Sequence, residues 1–260
     1  MAEHKTITTI LLAIILAVIA LFVIDRRYQF TIVAIPKFEH PVKIIPKSTS
    51  TVSTLNPIPS TLLLPVPFTP QAPTANWDTI HNEDCEEATA IMAAAYFSVF
   101  PSPIHGEGPG ERLIKLPADF VEKELTKLTD WEMQTFGYNL DVTSEETAQM
   151  IKANYNLQTK ILYSYTEEDI KKELTQNHLV LLPANGQLLK NPNYKQPGPK
   201  YHMLVIRGYN SAQIITNDPG TRNGLNYAYD FDTLYKANGN WSHETNSVDL
   251  TKKNAIVVWK

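Results

Sequence analysis

The chain has a single cysteine, Cys85, and its setting is the first place to look for chemistry. It falls in the first turn of a helix predicted over 84–99. A helix N-terminus carries partial positive charge, which favours thiolate over thiol. Glu86 and Glu87 act against this, because nearby negative charge raises a thiol pKa. On position alone, a buried apolar cysteine is the competing reading. A thiol nucleophile needs a base, and the chain offers seven histidines. His4 and His40 precede the folded part, His105 lies in a Gly/Pro loop, His243 in a polar segment, and His178 opens a strand. His81, four residues before Cys85, is the local competitor. His202 differs because geometry supplies it with a partner. Two apolar runs, 201–209 and 212–218, flank Asn210-Ser211 and read as a hairpin with a two-residue turn. Pairing Tyr209 with Ala212 puts His202 opposite Pro219, one residue from Asp218. An imidazole and a carboxylate then share one end of a hairpin, the base and orienter that a thiol needs. Taken singly, His202 is also a satisfied strand residue and Asp218 a turn residue of Asn-Asp-Pro-Gly. Gln71 lies 14 residues before Cys85 in a Pro-rich loop. Its amide could donate to an oxyanion beside a helix-start N–H, or be a solvated loop group.

The elements that must hold these residues read as helices first and strands later. On the helix over 84–99, Ala88, Ile91, Met92, Ala95 and Val99 form one apolar face. Further helices are predicted over 117–128, 144–154 and 166–177, the second of these three capped by Thr143 with Glu146. Residues 101–112 form a Gly/Pro loop that lacks the Lys-Ser/Thr of a phosphate loop. Strands are expected over 178–184, through the hairpin, and at 254–260. The fold class is α+β, a helical half against an antiparallel sheet. Trp77, Trp131, Trp241 and Trp259 read as core or groove packing.

Composition narrows the possibilities. The chain has 260 residues, 43% of them apolar, with a net charge of −4. That apolar fraction excludes disorder throughout, and the mild negative charge argues against nucleic acid as a partner. One cysteine excludes an internal disulfide framework and a zinc site of several thiolates. Residues 7–24 carry no charge and, as a helix, would cover about 27 Å against a ~30 Å hydrocarbon core. We therefore expect an uncleaved transmembrane anchor over 1–27. Nine of the 18 prolines lie between Pro36 and Pro73, among serines and threonines, so 28–63 reads as an extended stalk. The folded domain is 64–260. The positive-inside rule leans toward a cytoplasmic C-terminal part, through Arg26, Arg27 and Lys37, whereas the stalk favours an extracytoplasmic one at the cell membrane. The second is the expectation adopted.

The order Gln71, Cys85, His202, Asp218 resembles papain-like cysteine peptidases. More closely it is similar to the bacteriocin leader-processing (double-glycine) peptidase-like family. The segments that carry the resemblance are VPFTPQAP, NEDCEEATAIMAAAYF, YHMLVIRGYN and IITNDPGTRNG, spanning about residues 65–259. The resemblance implies a papain-like fold, Cys85 as nucleophile, His202 as general base and acid, Asp218 as orienter and Gln71 as an oxyanion donor. It implies a peptide or protein substrate and no metal or organic cofactor. Two features depart from the pattern: Asp84 stands where many relatives have glycine, and 101–112 looks inserted. Leader processing is not implied, since an anchor before the domain is expected here rather than an ATP-binding domain after it. A cell-wall amidase or acyl transferase would use the same triad, and a non-catalytic surface binding module could keep the same fold.

Overall fold

The computed structural model describes residues 58–78, 81–100 and 114–260. The expected anchor, nearly all of the stalk and the 101–112 loop lie outside the described residues. Among the described residues no helix is long and apolar enough to cross a membrane.

A short strand β1 (Leu62–Leu63) leads to helix α1 (Cys85–Tyr96), then α2 (Ala118–Thr135) and α3 (Ser144–Tyr155). The rest alternates: β2 (Gln158–Tyr163), α4 (Glu167–Thr175), β3 (Leu179–Ala184), α5 (Gly186–Leu189), β4 (His202–Tyr209) and β5 (Ile214–Asn217). Strand β6 (Tyr227–Tyr229), helix α6 (Phe231–Ala237), the hairpin β7 (Asn240–Ser242) and β8 (Ser247–Asp249), and β9 (Asn254–Trp259) complete it. The main sheet runs β2-β9-β3-β4-β5-β6, and β1 adds to β4 beyond the end of β3. Every pairing in it is antiparallel. The expected mixture of helices and antiparallel sheet is therefore present, with one addition. A strand, β2, interrupts the helical half and pairs with the last strand, β9.

Core formation follows from the apolar runs. All six residues of β3 and all eight of β4 are buried, so these central strands have no wet face. Helix α1 packs on β4 and is flanked by α2 and α3. Its whole surface is buried, not one face as the spacing of Ala88, Ile91, Met92 and Ala95 suggests. The alanines allow this, because their small side chains let neighbouring elements approach from every side. The helix also ends at Tyr96, short of Val99. Helix α2 runs seven residues beyond the predicted Leu128, carrying Glu132 inward with it.

The hairpin register differs from the expected one. Tyr209 pairs with Ile214, not Ala212. Asn210 causes this: its side-chain oxygen accepts from the N–H groups of Ala212 and Gln213, and its own N–H donates to Gln213 O. The connection is thus four residues long. An irregularity between Ile206 and Gly208 then moves the register by one, so that Val205 faces Asn217. Continuing that count sets His202 opposite Gly220 in place of Pro219. Accordingly, a Cβ on Gly220 would lie 2.8 Å from His202 Cε1.

Candidate active site

His202 opens β4 and Asp218 follows β5 directly, so the antiparallel pair delivers both side chains to one end of the sheet. His202 Nε2 lies 2.8 Å from Asp218 Oδ1, with the two side chains 1% and 0% exposed. The carboxylate is held from several directions. Gly220 N–H donates to Oδ1 at 3.1 Å, while Tyr194 O–H, Tyr229 O–H and Asn191 Nδ2 donate to Oδ2 at 2.5, 2.7 and 3.1 Å. Burial alone would raise the Asp218 pKa, but the charge and hydrogen bond of His202, with the tyrosine hydroxyls, outweigh it and hold the carboxyl below its ordinary value. An ionised carboxylate fixes Nε2 as the protonated nitrogen. The other ring nitrogen, Nδ1, has no hydrogen bond among the described residues and is free to take a proton.

Cys85 is the first residue of α1, the helix packed on β4. The cap residue Asp84 makes no side-chain capping bond, so the first N–H groups of the helix are left to other acceptors. The thiol is 2% exposed, and its one hydrogen bond among the described residues goes to Glu86 Oε2, at 2.8 Å. Burial, then the charge and hydrogen bond of Glu86, then Asp141 and Glu87, hold the thiol well above its ordinary pKa. A short path leads from this pair toward the histidine. Glu86 Oε1 accepts from Val142 N–H at 2.9 Å, and Val142 O accepts from the hydroxyl of Tyr201, the residue before His202.

Gln71 is buried in the wall of a cleft of about 1000 Å³. Glu83, Asp141, Tyr194, Tyr201 and Gly220 line the same cleft. Cys85 and His202 do not reach the wall themselves, but their neighbours do. Both N–H bonds of the Gln71 amide go to backbone, at His81 O (2.8 Å) and Asn82 O (2.9 Å). Its own N–H donates to Pro219 O at 2.9 Å. In this state Gln71 braces the turn before α1 against the turn after β5. Donation to an oxyanion requires one of the two side-chain bonds to be given up.

Residues 63–247 match the profile of the peptidase C39-like family. The chain belongs to the peptidase C39-like family. It is a cysteine peptidase by that membership. A solved structure described as a C39-like peptidase from Bacillus anthracis is 16% identical, with a TM-score of 0.46 over 77% of this chain and 98% of that one. No curated protein matches the chain.

Other parts of this C39-like peptidase engage the neighbouring histidine, His81. His81 Nδ1 lies 3.0 Å from Asp84 Oδ2 and Nε2 lies 2.8 Å from Glu122 Oε2, so both of its nitrogens face carboxyl groups. Sequence reasoning did not find Tyr194, Tyr229 or Asn191. They sit in a polar loop and a three-residue strand, with no spacing that relates them to Asp218. It weighed Glu86 and Glu87 as charges beside the thiol but gave no role to Glu83, Glu132 or Asp141. Glu87 and Glu132 are both buried, and Glu87 Oε2 and both Glu132 oxygens have no hydrogen-bond partner among the described residues. Burial, with the adjoining carboxyls, raises Glu132 to about 8 and Asp141 to about 7.

Proposed function

We propose that this protein is a membrane-anchored thiol hydrolase that cleaves peptide bonds with Cys85, His202 and Asp218. The observation that carries the reading is the buried His202–Asp218 pair, with Nδ1 unoccupied, on the strand against which the Cys85 helix packs. The sulfur loses its proton to Nδ1 and attacks the substrate carbonyl, giving a tetrahedral oxyanion. The imidazolium returns that proton to the departing amine, and the C–N bond breaks. Water, deprotonated by the same nitrogen, then cleaves the acyl-thioester and restores the thiol. Asp218 keeps the ring in the tautomer that leaves Nδ1 basic and supports the imidazolium. Helix-start N–H groups and Gln71, once released from its backbone acceptors, stabilise the oxyanion. Base catalysis contributes about 10²–10⁴-fold and each oxyanion donor about 10²–10³-fold. Residues 1–27 would hold the enzyme at the membrane with the domain on the extracytoplasmic side, on the stalk of 28–63.

The test is covalent labelling of the full-length protein by a library of peptidyl acyloxymethyl ketones, which need a substrate-like fit and an activated thiol. With one cysteine in the chain, every thioether adduct reports Cys85. Labelling is expected in the wild type, absent in Cys85→Ala and at least ~100-fold slower in His202→Ala. Equal labelling rates with and without His202 would remove the triad assignment.

A further inference from the structure

The thiol and the imidazole each have a partner in this structure, and they are not each other's. Cys85 Sγ donates to Glu86 Oε2, while His202 Nε2 is bound by Asp218. Glu86 is 1% exposed and adjacent in sequence to the nucleophile, a costly position for a carboxyl unless it is used. Both of its oxygens are used. Oε2 takes the thiol, and Oε1 takes the N–H of Val142, whose chain neighbour Asp141 lines the cleft.

We propose that Glu86 is the resting-state holder of the nucleophile, a positioning residue that must release Sγ before His202 can take its proton. The proposal rests on the assignment of Cys85 and His202 made above. In the resting arrangement the S–H proton lies between sulfur and Oε2, and the thiol stays neutral. On activation Sγ leaves Oε2, the S–H bond breaks and an N–H bond forms at Nδ1 of His202. Glu86 keeps its own protonation state, so no proton is gained or lost overall. The trigger is placed by the second oxygen. A substrate seated in the cleft touches the wall at Asp141 and Tyr201, and these residues flank the Val142 peptide that Glu86 grips. Displacing that peptide loosens the carboxyl that holds the thiol. The titratable groups bearing on Glu86 are Cys85 and Glu87 on α1, Asp141 in the preceding loop of α3, Glu132 on α2 and Tyr201 before β4. Burial first, then these neighbours, none of them cationic, raise the pKa of the thiol and of the carboxyl alike.

The substitution Glu86→Gln separates the roles of the two oxygens. Glutamine can still accept from Val142 N–H through its oxygen, but it presents an N–H donor to sulfur in place of an acceptor. The measurement is the rate of iodoacetamide alkylation of the full-length protein from pH 5 to 9. This probe is too small to need the cleft. The wild type is expected to react slowly below pH 8. Glu86→Gln should react about tenfold faster at pH 6–7, the gain expected from a one-unit fall in thiol pKa, and its pH profile should move to lower pH. Glu86→Gln with His202→Ala should lose that gain. An unchanged or slower rate in Glu86→Gln, with native thermal stability, overturns the proposal. A wild-type measurement covers the case in which the variant does not fold. The S–H infrared band, which only Cys85 can give, should lie at lower wavenumber in the native protein than in urea. A native band at the unfolded position overturns the proposal as well. If ketone labelling requires His202 but these measurements fail, the triad stands and the holder does not. If labelling ignores His202, the triad itself fails.

Discussion

Asp218 receives five donors, and each of them limits where the His202 ring can sit. The tightest neighbour carries no side chain. A Cβ on Gly220 would lie 2.8 Å from His202 Cε1, 3.1 Å from Nε2 and 3.0 Å from the Tyr194 ring. The imidazole can tilt away from such a contact, whereas the backbone is tied through Gly220 N–H and through Pro219 O to Gln71. Gly220→Ala should therefore leave the thermal midpoint within a few degrees and slow ketone labelling of Cys85 by about 100-fold, the effect of roughly 1 Å of misplacement. Labelling at the wild-type rate would show that the ring has room to spare. At this scale the sequence revealed the pair His202 and Asp218, because the longer turn and the irregularity in β4 shift the count in opposite directions and leave it wrong by one residue. It could not reveal Tyr194, Tyr229 or Asn191, because nothing local relates a loop side chain to a carboxylate 24, 11 or 27 residues away.

Helix α3 is where local sequence and tertiary use coincide. Thr143 accepts from Glu146 N–H, and Glu146 accepts from Thr143 N–H, so the capping box expected from the sequence is formed. The cap also fixes the turn that presents Val142 to Glu86. Thr143→Ala should cost about 1 kcal/mol, a fall of roughly 2–4 °C in Tm for a domain of this size, measured by circular dichroism. A change under 1 °C would mean that packing of Ile151 and Tyr155, and not the cap, holds the helix. Elements with such local signals were legible: α1, α3, α4, β3, β4 and β9 lie near their predicted ranges. Those without were not. The run QTKILY of β2 is short and half-exposed, and it becomes a strand because β9 is there to pair with it. The hairpin register failed for a similar reason, since the Asn210 side chain, invisible to a count of residues, lengthens the turn.

The interior of the whole domain is unusually acidic. Asp84, Glu86, Glu87 and Glu132 are each at most 2% exposed. Burial, joined by neighbouring carboxyls, raises Asp84 to about 7 and Glu132 to about 8, and lifts Glu86 and Glu87 well above their usual range. The same groups in an unfolded chain titrate near ~4. Between those values the native state binds more protons than the unfolded state, so stability falls as pH rises. Asp218 runs the other way: its pKa is lowered on folding, so its contribution is present above ~4 and fades only as pH falls below that. Maximum stability should lie between about pH 4 and 6, with Tm at pH 8 lower than at pH 5 by at least ~2–4 °C, the equivalent of about 1 kcal/mol. Differential scanning calorimetry checks this, and a Tm that rises toward pH 8 would mean the interior acids are ionised in the native state. The position of β9 has a consequence of a different kind. It lies between β2 and β3 and bonds to both, although it is the last-made strand of the sheet. Residues 254–259 must be made before β2 has any partner and before β3, which can already pair with β4, closes its other edge. Until then the nascent chain shows open strand edges on β2 and β3 to whatever chaperone or translocation machinery receives it.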